Sequence, residues 1–327
     1  MSTISPAGQA ESPPVTSPSV ASPQAVSPSV TSPQAVSPPA ASAPVTTRRV
    51  RGPGGALHVI DQPGTEPPIV LLHGYPDDSR IYRRLLPHLA PRRAVAFDFL
   101  GYGHSDRPEG RPDPGQHEAE LAAVLDSLEI ERALLVGHDA GGPVAVNFTL
   151  DHPGRVSRLV LMDTYYGSAP QLRMPEMIRL LADPDFAPLA DAMIGDPDQR
   201  MWLLAHTGRR FGLDPLDPQG GGMLSILPQF FGEGETPDAL PAIRAWTAAM
   251  FPALVDEDAR IARGELAALG VPVSLVYGAR DEYLSPDLAR HLAALFGHAE
   301  LHVIDDASHW LQDDQPEAVA RILREAA

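Results

Sequence analysis

In this chain of 327 residues, three side chains are spaced so that they could act together as a nucleophile, a base and the acid that orients the base. Residues 134–146, LLVGHDAGGPVAV, run from an apolar stretch into Gly137-His138-Asp139-Ala140-Gly141 and on into a helical pattern. Glycines on both sides of a residue permit a turn so tight that its side chain projects clear of the strand. That side chain would stand at a helix N-terminus, where free N–H groups and the helix dipole favour negative charge. Serine is the usual occupant of such a turn; here it is Asp139. An aspartate that merely caps the helix would leave the same trace. The company it keeps favours chemistry. Asp281, in LVYGARDEYLSP, lies just past one apolar run, and His309, in DDASHW, just past another. Asp281 alone could cap a helix near Pro286, and His309 alone is one of twelve histidines. Three such residues at three strand ends, in the order nucleophile, acid, histidine, are hard to attribute to accident.

A carboxylate nucleophile selects its reaction. Attack on an acyl carbon would give a labile anhydride. Displacement at a saturated carbon bearing a halide or an epoxide oxygen gives an alkyl-enzyme ester instead. A histidine held by an acid can then deprotonate the water that cleaves that ester.

Composition narrows the field. The formal net charge is −17 and all 25 basic residues are arginine, since the chain contains no lysine. A strongly acidic surface repels nucleic-acid phosphates and anionic lipid. Lysine-dependent chemistry, a Schiff base or a Walker-type phosphate loop, is excluded. With no cysteine there are no disulfides, thiolate nucleophiles or cysteine metal sites. No apolar stretch approaches the length of a membrane span, and no signal-peptide pattern opens the chain, so a cytoplasmic location is expected.

Residues 1–47 read as a disordered tail. Within them, residues 17–36 repeat with a period of ten, rich in Pro, Ser, Ala and Val and without an aromatic anchor. From Arg48 onward, short apolar runs alternate with helical spacings. Strands are expected at 69–72, 94–99, 133–137, 156–162, 273–277 and 299–304. Helices are expected at 118–129, 141–151, 286–296 and 316–326. The alternation predicts an α/β fold with a mostly parallel central sheet covered by helices on both faces. Between Asp163 and Leu269 no convincing strand appears, while 175–182, 198–205 and 239–250 look helical. The expected organisation is a core of 48–163 and 270–327 with a helical cap at 164–269 that excludes water and contacts substrate.

The segments HGYP (73–76), FDFLGYGHSDRP (97–108), GHDAGG (137–142), GARDEYLSP (278–286) and SHW (308–310) resemble the branch of the α/β-hydrolase fold that contains epoxide hydrolases and haloalkane or haloacid dehalogenases. The resemblance covers about residues 50–325. It implies that the backbone N–H groups of Tyr75 and Ala140 form an oxyanion hole, that Asp139, His309 and Asp281 are catalytic, and that no metal or organic cofactor takes part. It implies a small, mainly apolar substrate and water as the partners. Asp163 is the alternative to Asp281, because some dehalogenases take the acid from that position. Asp98 and Asp106, around the glycine-punctuated loop 101–105, are read as structural; the loop lacks the third glycine and following helix of a dinucleotide fingerprint.

The leaving group is where the chain departs from both enzyme types. Epoxide hydrolases of this branch use two cap tyrosines to protonate the opening oxygen, but only Tyr165 and Tyr166 are present, at the cap entrance. Trp246 stands near where a second would be. Haloalkane dehalogenases place tryptophan directly after the nucleophile, where this chain has Ala140. Trp202 and Trp246 are candidate halide donors or plain core aromatics. The expected activity is epoxide-hydrolase-like, with a dehalogenase as the alternative and a ligand-binding protein on the same fold as a reading of another class.

Overall fold

A computed structural model describes residues 45–108, 114–213 and 221–326. The apolar runs form the middle of an eight-stranded sheet: β1 (Thr46–Arg51), β2 (Ala56–Gln62), β3 (Thr65–Leu72), β4 (Arg92–Phe97), β5 (Ala133–Asp139), β6 (Val156–Thr164), β7 (Val273–Gly278) and β8 (Ala299–Ile304), in the order β1-β2-β4-β3-β5-β6-β7-β8. Every side chain of residues 69–72 is fully buried. Alternate strand side chains point to opposite faces, so the sheet must be covered on both. From β4 to β8 all neighbours pair in parallel, while β1 and β2 are antiparallel additions at one edge.

Four core helices follow the expected positions: α2 (His117–Ser127) and α3 (Gly141–Asp151) precede the cap, and α9 (Pro286–Leu295) and α11 (Pro316–Glu325) follow it; the short α1 (Leu86–Leu89) and α10 (Leu311–Asp314) had not been expected. The cap lies between β6 and β7 and contains α4 (Glu176–Ala182), α5 (Ala187–Gly195), α6 (Pro197–Arg210), α7 (Gly221–Phe231) and α8 (Leu240–Ala262). Among the described residues no helix is long and apolar enough to cross a membrane.

Two readings of the sequence change. Thr46 and Thr47, assigned to the tail, pair with Asp61 and Ile60 as the start of β1; the remainder of that segment, with its ten-residue repeat, lies outside the described residues. The edge pair β1–β2 and the helices α5 and α7 had not been anticipated. Helix α7 carries Pro228 in its interior and follows a glycine run, both adverse to a helix. It is fastened from outside: Ser225 Oγ donates to Asp77 Oδ1 at 2.6 Å, and Gln229 Nε2 to Asp78 Oδ2 at 2.7 Å.

The loop aspartates are structural, as read. Asp98 accepts from the Ser79 and His104 amides at 2.8 Å each, and Asp106 from the Ala56 amide at 2.7 Å.

The sheet order reverses direction between β3 and β5. Chain leaving β3 runs to β4 on one side, while β5 lies on the other, so a crevice opens at the carboxyl ends of these two strands. His73-Gly74-Tyr75 and Asp139 both sit there.

Candidate active site

Asp139 ends β5 with φ of +47°, a region that non-glycine residues rarely occupy. The turn around it is held by close packing and one hydrogen bond. A Cβ at Gly141 would stand 2.4 Å from the His73 carbonyl oxygen, and one at Gly74 would stand 2.5 Å from Asp139 Cβ. Thr164 Oγ1 donates to the Asp139 carbonyl at 2.5 Å, tying the turn to the end of β6. The carboxylate therefore has a defined orientation. Its Oδ2 accepts from the Tyr75 amide at 2.9 Å, and the neighbouring Ala140 amide also favours the charged carboxylate. Burial pushes the Asp139 pKa above the usual carboxylate range, against the opposing pull of His309 and of those two amides.

His309 and Asp281 meet at the ends of β8 and β7. Nδ1 of His309 lies 2.7 Å from Asp281 Oδ2, and both side chains are buried. The other oxygen, Oδ1, accepts from the Tyr283 amide at 2.8 Å and the Leu284 amide at 3.0 Å. These bonds leave Nε2 as the imidazole nitrogen free for another proton. Burial alone would keep the imidazole neutral, but Asp281, helped by Asp139 and Asp77, outweighs it and raises the His309 pKa above 6.5. For Asp281 the order is the same: burial acts to raise its pKa, and His309 with the two amides overcomes it, leaving the carboxyl below its usual range.

Asp163 has a different environment. Its Oδ1 accepts from the Gly278 amide at 2.9 Å, while Oδ2 has no hydrogen-bond partner among the described residues. Burial drives its pKa well above the usual carboxylate range. The imidazole is bonded to Asp281 and not to Asp163.

Two histidines read only as parts of motifs brace this arrangement. His138 Nε2 bonds to the His309 carbonyl at 2.9 Å, and burial lowers its pKa to about 3. His73 Nδ1 bonds to the Gly74 carbonyl at 2.7 Å while Nε2 accepts from the Phe99 amide at 3.1 Å; burial takes its pKa to about 4. Both imidazoles stay neutral and act as brackets between loops.

Asp139, His309, Tyr75 and Tyr165 line one mainly apolar cavity beneath the cap, with Met177, Leu204 and Phe211 among its other walls. The Tyr165 hydroxyl makes no hydrogen bond among the described residues, and burial holds the phenol firmly protonated. The Tyr75 hydroxyl lies 2.5 Å from Thr247 Oγ1, which itself donates to the Ile243 carbonyl, so Tyr75 is the donor and is tethered to α8. Tyr165 and Met250 also wall a second, more polar chamber, whose lining includes Ala140, Glu118, Asp256 and Glu257.

The remaining candidates fall elsewhere. Tyr166 does not line the cavity; its hydroxyl donates to Asn147 Oδ1 at 2.7 Å, because consecutive residues leaving β6 point in different directions. Trp202 is 57% exposed and stacks on His206. It lies roughly half a turn around α6 from Leu204, which faces the cavity. Trp246 packs against His117 and Tyr102, with ring centroids 4.3 and 5.5 Å away, and borders the second chamber.

Residues that sequence reasoning passed over take part as well. Trp310, beside His309, lines the cavity and donates its Nε1–H to Asp77 Oδ2 at 3.2 Å. Asp77 is fully buried, and burial pushes its pKa up to about 7. Thr207 lines the cavity, and its buried hydroxyl has no partner among the described residues. Tyr283 lines it too, but its hydroxyl donates to Glu176 Oε2 at 2.6 Å. The HGYPDD and SHW segments were signals for Asp77 and Trp310; nothing local marked Thr207 or Tyr283.

A family model described as "Alpha/beta hydrolase family" matches residues 69–322. Haloalkane dehalogenase 2 of Mycobacterium tuberculosis is 30% identical over 288 residues, covering 83% of this chain and 91% of that protein. Epoxide hydrolase 2 of Siraitia grosvenorii is 31% identical over 194 residues, 55% of this chain and 58% of that one. Among solved structures, Cfl2 from Burkholderia cenocepacia is similar with a TM-score of 0.67 at 27% identity, over 85% of this chain and 94% of that chain. An epoxide hydrolase from an endophytic Streptomyces gives a TM-score of 0.62 at 26% identity, over 86% and 94%.

Proposed function

The chain belongs to the alpha/beta hydrolase family, and on that premise we propose that it is an epoxide-hydrolase-like enzyme that forms an alkyl ester on Asp139. The observation behind this reading is that Asp139 Oδ2 accepts the Tyr75 amide at the edge of an apolar cavity that also contains His309 and the unpartnered Tyr165 hydroxyl. Oδ1 is then the attacking oxygen. It bonds to an epoxide carbon, the C–O bond of the ring breaks, and the released oxygen takes the phenolic proton of Tyr165. Oδ2 has become the ester carbonyl oxygen and already faces the donors that stabilise an oxyanion.

In the second half, His309 Nε2 takes a proton from water as its oxygen adds to Cγ of Asp139. Negative charge collects on Oδ2 against the Tyr75 and Ala140 amides. Collapse expels the product alkoxide, which receives the proton from His309. The remaining water proton, on the regenerated carboxyl, returns to the Tyr165 phenolate. The sum is epoxide plus water to diol. Asp281 fixes the tautomer and orientation of the imidazole and stabilises its charged form.

Tyrosine in the cavity favours this reading over halide release. A halide is held by N–H donors, yet Trp202 is exposed, Trp246 borders the other chamber and the Trp310 N–H is engaged by Asp77. The dehalogenase reading rests on the 30% identity to a protein of that name. A panel of styrene-oxide-type epoxides, bromoalkanes and fluoroacetate, followed by diol and halide release, separates the two. Diol without halide is expected, and halide release overturns the epoxide assignment. In His309→Gln, the ester is expected to accumulate as an adduct mass on Asp139. Normal turnover in that variant, or an adduct elsewhere, removes the scheme; inactivity throughout with tight ligand binding favours a binding protein.

A further inference from the structure

We propose that Met250, together with Tyr165, sets the length of substrate that the cavity accepts, by walling it off from the polar chamber behind; the turnover arm of its test rests on the reading of Asp139 given above. Among the described residues these are the two that line both spaces. They differ in freedom. Tyr165 directly follows Thr164, which is bonded to the backbone of the nucleophile turn. Met250 projects from α8 on an unbranched chain that adapts its shape easily. Pro252, two residues on, has no N–H for the Ala248 carbonyl, which loosens the helix beside Met250.

The chamber has its own chemistry. Glu118, Asp256 and Glu257 line it, and the Arg260 guanidinium beside them is engaged by Asp151 and Glu265. An alkyl chain that passed Met250 would enter a space walled by Val144, Trp246 and Ala253 together with those carboxyl groups. A fitting long substrate is therefore an unbranched epoxide whose far end carries a hydroxyl or ammonium group. With Met250 in place, short epoxides fill the cavity and longer ones are excluded.

The test compares 11,12-epoxydodecan-1-ol with 3,4-epoxybutan-1-ol. In Met250→Ala the ratio of their kcat/KM values is expected to rise by about tenfold or more, since several methylenes gain a place out of water. Met250→Val, the milder change, moves the ratio in the same direction, and Met250→Phe lowers it. Adding Ala253→Trp, which fills the chamber, to Met250→Ala should return the ratio to the wild-type value. A folded Met250→Ala or Met250→Val protein with an unchanged ratio overturns the proposal, as does a gain that survives Ala253→Trp. Calorimetric affinities for 1,10-decanediol and 1,4-butanediol give the same ratio without chemistry. Should the wild type open no epoxide, the reading of Asp139 fails while these affinities still decide the partition.

Discussion

The strand-end region and the cap divide the work of this site in contrasting ways. At the ends of β5, β7 and β8, the two carboxylates are held by backbone amides, Asp139 by that of Tyr75 and Asp281 by those of Tyr283 and Leu284, and His309 is held by Asp281 and, at its carbonyl, by His138. The cap offers mostly apolar walls, with polar anchors where α7 meets Asp77 and Asp78, where Thr247 of α8 meets Tyr75 and where Glu176 of α4 meets Tyr283. Backbone amides cannot be substituted away and hold charge to a fixed geometry. Side chains on cap helices tolerate exchange. On the proposed reading, the first region defines the reaction and the second the substrate.

Several changes would sharpen or break that division. The largest effect is expected from Asp139→Ala: steady-state turnover should fall by at least about 10⁴-fold, with the fold intact by circular dichroism. Retained activity would move the nucleophile elsewhere. Next comes the pair of acids. Asp281→Asn should lower kcat by about 10²–10⁴-fold, because it removes the charge that orients and stabilises the imidazolium. Asp163→Asn alters a carboxyl that bonds to the Gly278 amide and not to the imidazole, and should change kcat by less than about fivefold. The reverse ranking would exchange their roles.

A pH profile probes the same contrast more gently. As the base, His309 must be neutral, and its raised pKa places the acid limb of kcat above 6.5; in Asp281→Asn that limb should move down. Stability should follow the buried carboxylates at the cap junction. Burial raises Asp77 to about 7 and Asp78 to about 6. Groups with raised folded pKa values stabilise fully below their unfolded values, and that contribution is lost as pH rises through the folded ones. The buried, neutral His73 and His138 act the other way below pH 6.5, so the check is the difference between proteins: on going from pH 5 to pH 8 the Tm of Asp77→Asn should fall less, or rise more, than that of the wild type. The smallest effect belongs to Trp202→Ala: a surface residue on α6, it should alter kcat/KM by less than about twofold and stability by about 0.5 kcal/mol or less.

Residues 69–72 and 134–137 are continuous apolar runs because their strands are buried on both faces, which made the middle of the sheet readable along the chain. The edge strand β1, TTRRVR, is exposed except at Val50, so it carried no comparable signal. The same contrast applies within the site. A glycine-flanked residue between a strand and a helix has its position dictated by the steric demands of neighbours one or two places away, so the turn at Asp139 was legible from its segment, while only the placement of Asp281 and His309 separated it from a plain helix cap. Tyr165 and Tyr166 are adjacent and chemically alike; which one meets the cavity depends on how β6 enters the cap. Trp202 and Trp246 were equally ambiguous: Trp202 faces solvent and Trp246 an aromatic cluster, while Trp310, not weighed as a candidate, lines the cavity. Local sequence determined the α/β alternation and the nucleophile turn, because backbone sterics and hydrophobic periodicity act over a few residues. Only the tertiary structure decided which acid holds His309, which phenol is free, and which cap side chains wall the cavity, because those outcomes depend on packing between segments far apart in the chain.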